Sequence, residues 1–223
     1  MPNASPVRRS SAQVVSLALI AGYVDGYALR LFGIYVLFMS GNTTFAGITL
    51  GQGRFFAALP AILAIVSFLA GSFSGTWFTH SRLRSSRSLL FAASALLLVI
   101  FIILNLHSPH TGTPFLSFAM GLINPAISRV GSEPVSLTFV TGTLNKIGTH
   151  LALASRRIQP SDAEAPWDTH LHRAALESGV WIGFFTGAIL SGVLAVHLGP
   201  LALLPASLAL LFFAIQSFKS PIK

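Results

Sequence analysis

Four stretches of this chain, 55–80, 88–106, 175–197 and 199–218, are predominantly apolar. Each reaches the roughly 20 residues at which an α-helix crosses the hydrocarbon core of a bilayer. Four more apolar stretches, 14–31, 34–52, 113–128 and 135–155, form two adjacent pairs interrupted by Gly, Pro or polar residues. Charge is scarce. Of the 223 residues, 53% are hydrophobic and only 9% are charged, against about 25% charged in an ordinary soluble domain. So few charges cannot clothe a soluble surface, and the chain reads as an all-α integral membrane protein whose first partner is the lipid bilayer. Phe contributes 18 residues and Cys none, which excludes disulfides, thiolate metal sites and thiol nucleophiles. The apolar run from Val14 continues past signal-peptide length without a small-x-small cleavage site, so it reads as a retained helix.

The net charge is +8, carried in short basic runs between apolar stretches: Arg8 and Arg9, then Arg82, Arg84 and Arg87, then Arg156 and Arg157, then Lys219 and Lys223. This is the pattern of a positive-inside topology signal, and no nucleic-acid partner is expected. The segments 107–112 and 198–200 carry no Lys or Arg. Placing basic segments inside and neutral ones outside gives each interrupted pair one net crossing. The total is about six spans, with both termini cytoplasmic in a bacterial inner membrane; Arg54 is the single exception. Each pair spends its length on one crossing, so broken or re-entrant segments are expected near 32–50 and 128–148. Non-helical backbone at that depth is tolerated only inside protein or along a cavity.

The two interrupted pairs resemble each other. Ala21-Gly22-Tyr23-Val24-Asp25-Gly26 matches Met120-Gly121-Leu122-Ile123-Asn124-Pro125, and Phe38-Met39-Ser40-Gly41-Asn42-Thr43 matches Phe139-Val140-Thr141-Gly142-Thr143-Leu144. Two long apolar stretches follow each. The expectation is one transmembrane domain over 1–223 built as a 3+3 inverted repeat, with repeat 1 at 14–106, repeat 2 at 113–218 and a cytoplasmic loop at 156–174. Many transporters share this plan, with the site where the broken elements meet.

These same residues resemble the YoaK-like family of small bacterial integral membrane proteins, a domain of unknown function. The resemblance rests on the Ala-Gly-Tyr-Val-Asp start, the Ser-Gly-Asn-Thr motif and the Pro-Val-Ser-x-Thr-Phe-Val-Thr-Gly-Thr-Leu segment, and it covers about Val14 to Phe218. It implies a bacterial inner-membrane protein of about six helices, and brings no substrate, cofactor or catalytic residue. Pro125 and Ala126 after Asn124, and the long polar loop 158–174, depart from the family's pattern.

Asp25 is the only acidic residue in the first four stretches and lies midway along the first. A lone carboxylate at membrane depth costs about 2.5–3.5 kcal/mol on insertion scales, so it should face the bundle interior and pair or protonate. Arg30 is a candidate partner. Asp25 reads either as a proton- or cation-coupling site or as a structural hydrogen-bonding group beside Gly26. Asn124 holds the equivalent place in repeat 2, where Pro125 ends or kinks the helix. Ser40, Gly41, Asn42 and Thr43, and their counterparts Thr141, Gly142 and Thr143, are helix-capping residue types with a glycine that admits close approach. If each opens a half-helix in the membrane, its free N–H groups favour an anion or a substrate carboxylate; otherwise these small residues serve helix packing. Glu133 and Lys146 flank the second cluster.

Gly71 and Gly75, and Gly183 and Gly187, form Gly-x-x-x-Gly faces that suit helix packing within a protomer or across a homodimer. The seven histidines form no metal-ligand set; His170 and His172 fall in the polar loop, and His150 lies in the second polar element. No phosphate loop, nucleophile elbow or catalytic triad is present, so neither an enzyme nor a cofactor is expected. The leading reading is a secondary transporter or channel for a small solute or ion, anionic by the chemistry of the clusters, with Asp25 coupling. A membrane scaffold or regulatory subunit, and an intramembrane enzyme acting on lipid, are the alternatives.

Overall fold

The computed structural model describes residues 5–80, 86–107, 112–126, 129–130, 133–134, 140–163 and 165–219. In chain order they form α1 Ser5–Phe32, α2 Met39–Gly51, α3 Phe55–Thr79, α4 Ser86–His107 and α5 Thr113–Ile123. A 3-10 turn Asn124–Ala126, β1 Arg129–Val130 and β2 Glu133–Pro134 follow. Then come α6 Val140–Ser155, α7 His170–Leu198, a 3-10 segment Gly199–Leu203 and α8 Leu204–Lys219. The strands pair antiparallel with Arg129 opposite Pro134. Arg82, Arg84, the neutral segment 108–111 and residues 135–139 of the Pro-Val-Ser-x-Thr-Phe run lie outside the described residues.

Four helical runs among the described residues are long and apolar enough to cross a membrane: Ser11–Phe32, Phe55–Thr79, Ser88–Leu106 and His170–Phe218. The last contains both α7 and α8. α2 has 13 residues and α6 has 16, or about 20 and 24 Å at about 1.5 Å per residue, less than the roughly 30 Å hydrocarbon core. Both regions read as broken therefore contain a short helix. α1 ends at Phe32, where Gly33 takes a left-handed φ of 67° and its N–H bonds to the Leu29 carbonyl at 3.0 Å. Only glycine adopts that φ without strain, which makes it a natural helix stop. α5 ends at Ile123, two residues before Pro125.

One boundary differs from expectation. α7 starts at His170, so His170 and His172 are helical and not part of the polar loop. Thr169 sets this start: its hydroxyl accepts the His172 N–H at 3.2 Å, as an N-cap residue does.

The chain divides into two compact units, one of residues 1–22 and 127–187, the other of 23–126 and 188–223. In the larger unit α3 packs on α5, α4 packs on α5 and α8, and α2 packs on α3. Glycine sets the α3–α5 approach. A methyl group on Gly71 would strike the Phe118 carbonyl, one on Gly75 the Leu122 carbonyl, and one on Gly121 the Phe68 carbonyl. Lipid supplies no hydrophobic force between helices, so contact this close, gained through dispersion, is what holds them. Hydroxyls add to it: Ser94 donates to the Ala119 carbonyl at 3.1 Å and Ser88 to the Ala214 carbonyl at 2.6 Å. In the smaller unit a methyl on Gly22 would strike the Phe184 carbonyl, and one on Gly183 would lie 2.7 Å from the Val15 carbonyl. Of the two uses expected of the glycine faces, packing within the protomer is the one found at Gly71, Gly75 and Gly183.

Gly71→Leu should destabilise the protein by about 2 kcal/mol or more through overpacking. Gly47→Leu, at a glycine with open space around it, should leave stability nearly unchanged. Thermal unfolding of both variants in one detergent checks the contrast.

Candidate functional site

The break between α1 and α2 is built around Asp25. Its carboxylate is buried on the inward face of α1. The Val36 and Leu37 N–H groups both donate to Asp25 Oδ1, at 2.8 and 2.9 Å. Asp25 precedes the end of α1 by seven residues, or about 10 Å of helix. Segment 33–38 must therefore turn back along α1 to reach it, and α2 starts from that depth. Arg30, the partner suggested by sequence, is exposed. The acceptor for these non-helical amides is Asp25 itself, and an anionic acceptor makes a stronger hydrogen bond than a neutral one.

The Ser-Gly-Asn-Thr motif closes the turn. Asn42 is buried and bonds Tyr35 twice: its Oδ1 accepts the Tyr35 N–H at 3.3 Å and its Nδ2 donates to the Tyr35 carbonyl at 2.6 Å. Gly41 makes room for the Phe38 ring, which a methyl group there would strike. Phe38 meets Tyr35 edge to face, with centroids 5.1 Å apart. Ser40 is exposed; Thr43 is also exposed and gives its hydroxyl to the Met39 carbonyl at 2.8 Å. Asp25 and Asn42 thus fasten successive parts of one loop. Asn124 opens the 3-10 turn after α5 and is half-buried, with the Pro125 ring packed beside Gly75.

The second cluster belongs to the smaller unit. Thr141 is exposed, Gly142 half-buried and Thr143 buried, in the first turn of α6. The same face of α6 continues to Lys146 and His150. Opposite them on α7 stand Glu177, Arg173 and His170. Lys146 Nζ pairs with Glu177 Oε1 at 3.0 Å, and Glu177 is only 1% exposed. His150 Nδ1 lies 2.9 Å from His170 Nδ1. Arg173 grips Asp168 with two bonds, at 2.8 and 2.9 Å, and Asp162 at 2.9 Å. The Arg173 hydrogen bond holds the Asp162 carboxyl below the usual carboxylate range. The inward face of the α6–α7 seam is therefore ionic, which the sequence reading did not assemble. Its legible trace was the spacing of His170, Arg173 and Glu177 along one helix face.

Two outcomes follow. Asp25→Leu should leave the Val36 and Leu37 amides without their acceptor, at about 1–3 kcal/mol each, and hydrogen exchange at those two amides should accelerate relative to wild type. Arg173→Leu should release the 156–169 loop and make it a protease site. In wild type the same release should appear as acidification protonates Asp162. A group whose folded pKa is lowered loses its contribution as pH falls through that pKa, so limited proteolysis across pH 7 to 3 reads the effect.

The model of a family described as protein of unknown function (DUF1275) matches residues 13–216. The chain is 34% identical over 217 residues to UPF0700 transmembrane protein RA0705 of Rhizobium meliloti (strain 1021), covering 96% of this chain and 90% of that one. No solved structure matches. With a family model spanning nearly all of it and a transmembrane relative of this similarity, the chain belongs to the DUF1275 family of membrane proteins of unknown function.

Proposed function

We propose that this protein is a non-enzymatic secondary transporter or channel for a small carboxylate-bearing or otherwise anionic solute, with Asp25 as the coupling group. The observation that carries the reading is the pair of backbone amides at Val36 and Leu37 bound to the buried carboxylate of a helix long and apolar enough to cross a membrane. A site that holds one carboxylate by its backbone suits another. Protonation weakens Asp25 as an acceptor and leaves the two N–H groups to the solute's carboxylate. Proton and anion then move together, and return of the charge to Asp25 expels the solute. An equilibrium shifts only by the difference in affinity between its two states; here that difference is the charge on Asp25.

The architecture proposed with this function is a 3+3 inverted repeat of six spans in a bacterial inner membrane, both termini cytoplasmic. Three features support it. Each half has four helices, α1 to α4 and α5 to α8, with short helices in the interrupted pair: α2 of 13 residues in the first, α5 of 11 and α6 of 16 in the second. The helical run His170–Phe218 has 49 residues, about 70 Å, twice what one crossing needs; Gly199, at φ 51°, breaks it. Equivalent glycines also make equivalent contacts. Gly22 and Gly121 meet the carbonyls of Phe184 and Phe68, each three residues before a glycine, Gly187 and Gly71. In the sequence, Thr141, Gly142 and Thr143 correspond to the first polar cluster and Asn124 to Asp25.

A scaffold or regulatory role is the second reading. It is favoured by the internal bonding of the first cluster, in which Asn42 and Thr43 both spend their polar groups on nearby backbone.

Solute uptake into proteoliposomes with an inward proton gradient, screened over small carboxylates and inorganic anions, separates the two. The transporter reading expects gradient-driven uptake that Asp25→Asn reduces at least tenfold while the protein stays folded. Absence of uptake for every solute, in protein that remains folded, supports the scaffold.

A further inference from the structure

The ionic seam between α6 and α7 takes no part in the mechanism above. His150 and His170 are both buried, 8% and 7% exposed, with their Nδ1 atoms 2.9 Å apart. A hydrogen bond between two ring nitrogens needs one N–H and one lone pair. At least one of the two imidazoles is therefore neutral, its own proton on Nε2. The pair can exist neutral or as a monocation. It cannot exist as a dication, because both Nδ1 atoms would then be donors facing each other at that distance.

The surroundings decide between the two permitted states. Lys146 comes from α6, Arg173 and Glu177 from α7, and Asp162 and Asp168 from the preceding loop. His172 is exposed and turned to the Trp167 ring. Lys146–Glu177 and Arg173–Asp168 balance as two pairs, and exposed Asp162 adds one negative charge beside Arg173. One proton on the imidazole pair offsets that charge, and a second would be an uncompensated positive one. Buried charge is costly unless compensated. The bond geometry and the charge count, which are independent, both stop at one proton.

We infer that the His150–His170 pair is a proton-binding site that accepts a single proton, shared along the Nδ1–Nδ1 bond, and excludes a second. In the unfolded chain the same two imidazoles take two protons below about pH 6.5. The folded state thus binds fewer protons in acid. The seam's contribution to stability is present above the ordinary imidazole range and falls away below it, by up to about tenfold in the unfolding equilibrium per pH unit. The site joins α6, which carries Thr141, Gly142 and Thr143, to the head of α7, so its second protonation parts those helices.

The test uses the full chain with nitrogen-15 histidine in phosphatidylcholine–phosphatidylglycerol bilayers, followed by NMR from pH 8 to 4.5. A nitrogen–nitrogen coupling across the Nδ1–Nδ1 bond identifies the pair in the unaltered protein. His150→Gln and His170→Gln then assign its two signals, and the coupling keeps the pair identified if either variant fails to fold. The expected result is one bound proton with the coupling intact, and loss of the coupling on further acidification. Full protonation of both rings while the helices stay packed overturns the inference, and so does a pair that takes no proton across the range or shows no coupling. No solute enters the measurement, so failure here leaves the transport reading standing, and failure of transport leaves this site standing.

Discussion

A bilayer offers no water to an exposed N–H or C=O, so a chain that stops being helical inside it must supply its own partners. In the re-entrant arrangement proposed above, segment 33–38 meets that requirement through Asp25. The dependence runs both ways. Without the carboxylate, the Val36 and Leu37 amides would be buried donors with no acceptor. Without those amides, the carboxylate would be an uncompensated charge in a helix packed against its neighbours. The starting depth of α2, the Tyr35 clip made by Asn42 and the Phe38 ring seated over Gly41 all follow from this one contact.

The second constraint is how helices hold together where lipid competes for every apolar surface. At Gly71, Gly75 and Gly121 the backbones of α3 and α5 approach until no Cβ would fit between them, and Gly22 and Gly183 do the same for α1 and α7. Such contacts are rigid.

The apolar stretches, the two short interrupted regions and the unusual place of Asp25 were all legible in the sequence, because each reflects a local property: hydropathy, helix-breaking residues, an isolated acid. The partner of Asp25 was not. Arg30 was the nearest countercharge along the helix, whereas the actual donors stand 11 and 12 residues on and arrive only because the chain reverses after Gly33. Backbone amides carry no sequence signature, so an acid that binds them looks unpaired in the sequence. The α6–α7 seam escaped for a related reason. Polar residues beside a polar loop read as more of that loop, and only the start of α7 at Thr169 and His170 turns His170, Arg173 and Glu177 into one buried face. The glycine pairs announced tight packing, but a spacing within one helix does not say which helix fills the other side.

The central claim is that the chain re-enters the membrane after α1 and is held there by Asp25. The absence of native cysteine makes it directly measurable. Single cysteines at Val36, Gln52 and His80 would be exposed in turn to a membrane-impermeant thiol reagent applied to sealed vesicles of known orientation. The account predicts that position 52 reacts from one side, position 80 from the other and position 36 from neither. Labelling of position 36 as readily as position 52 would place the 33–38 segment in water at the membrane surface and contradict it.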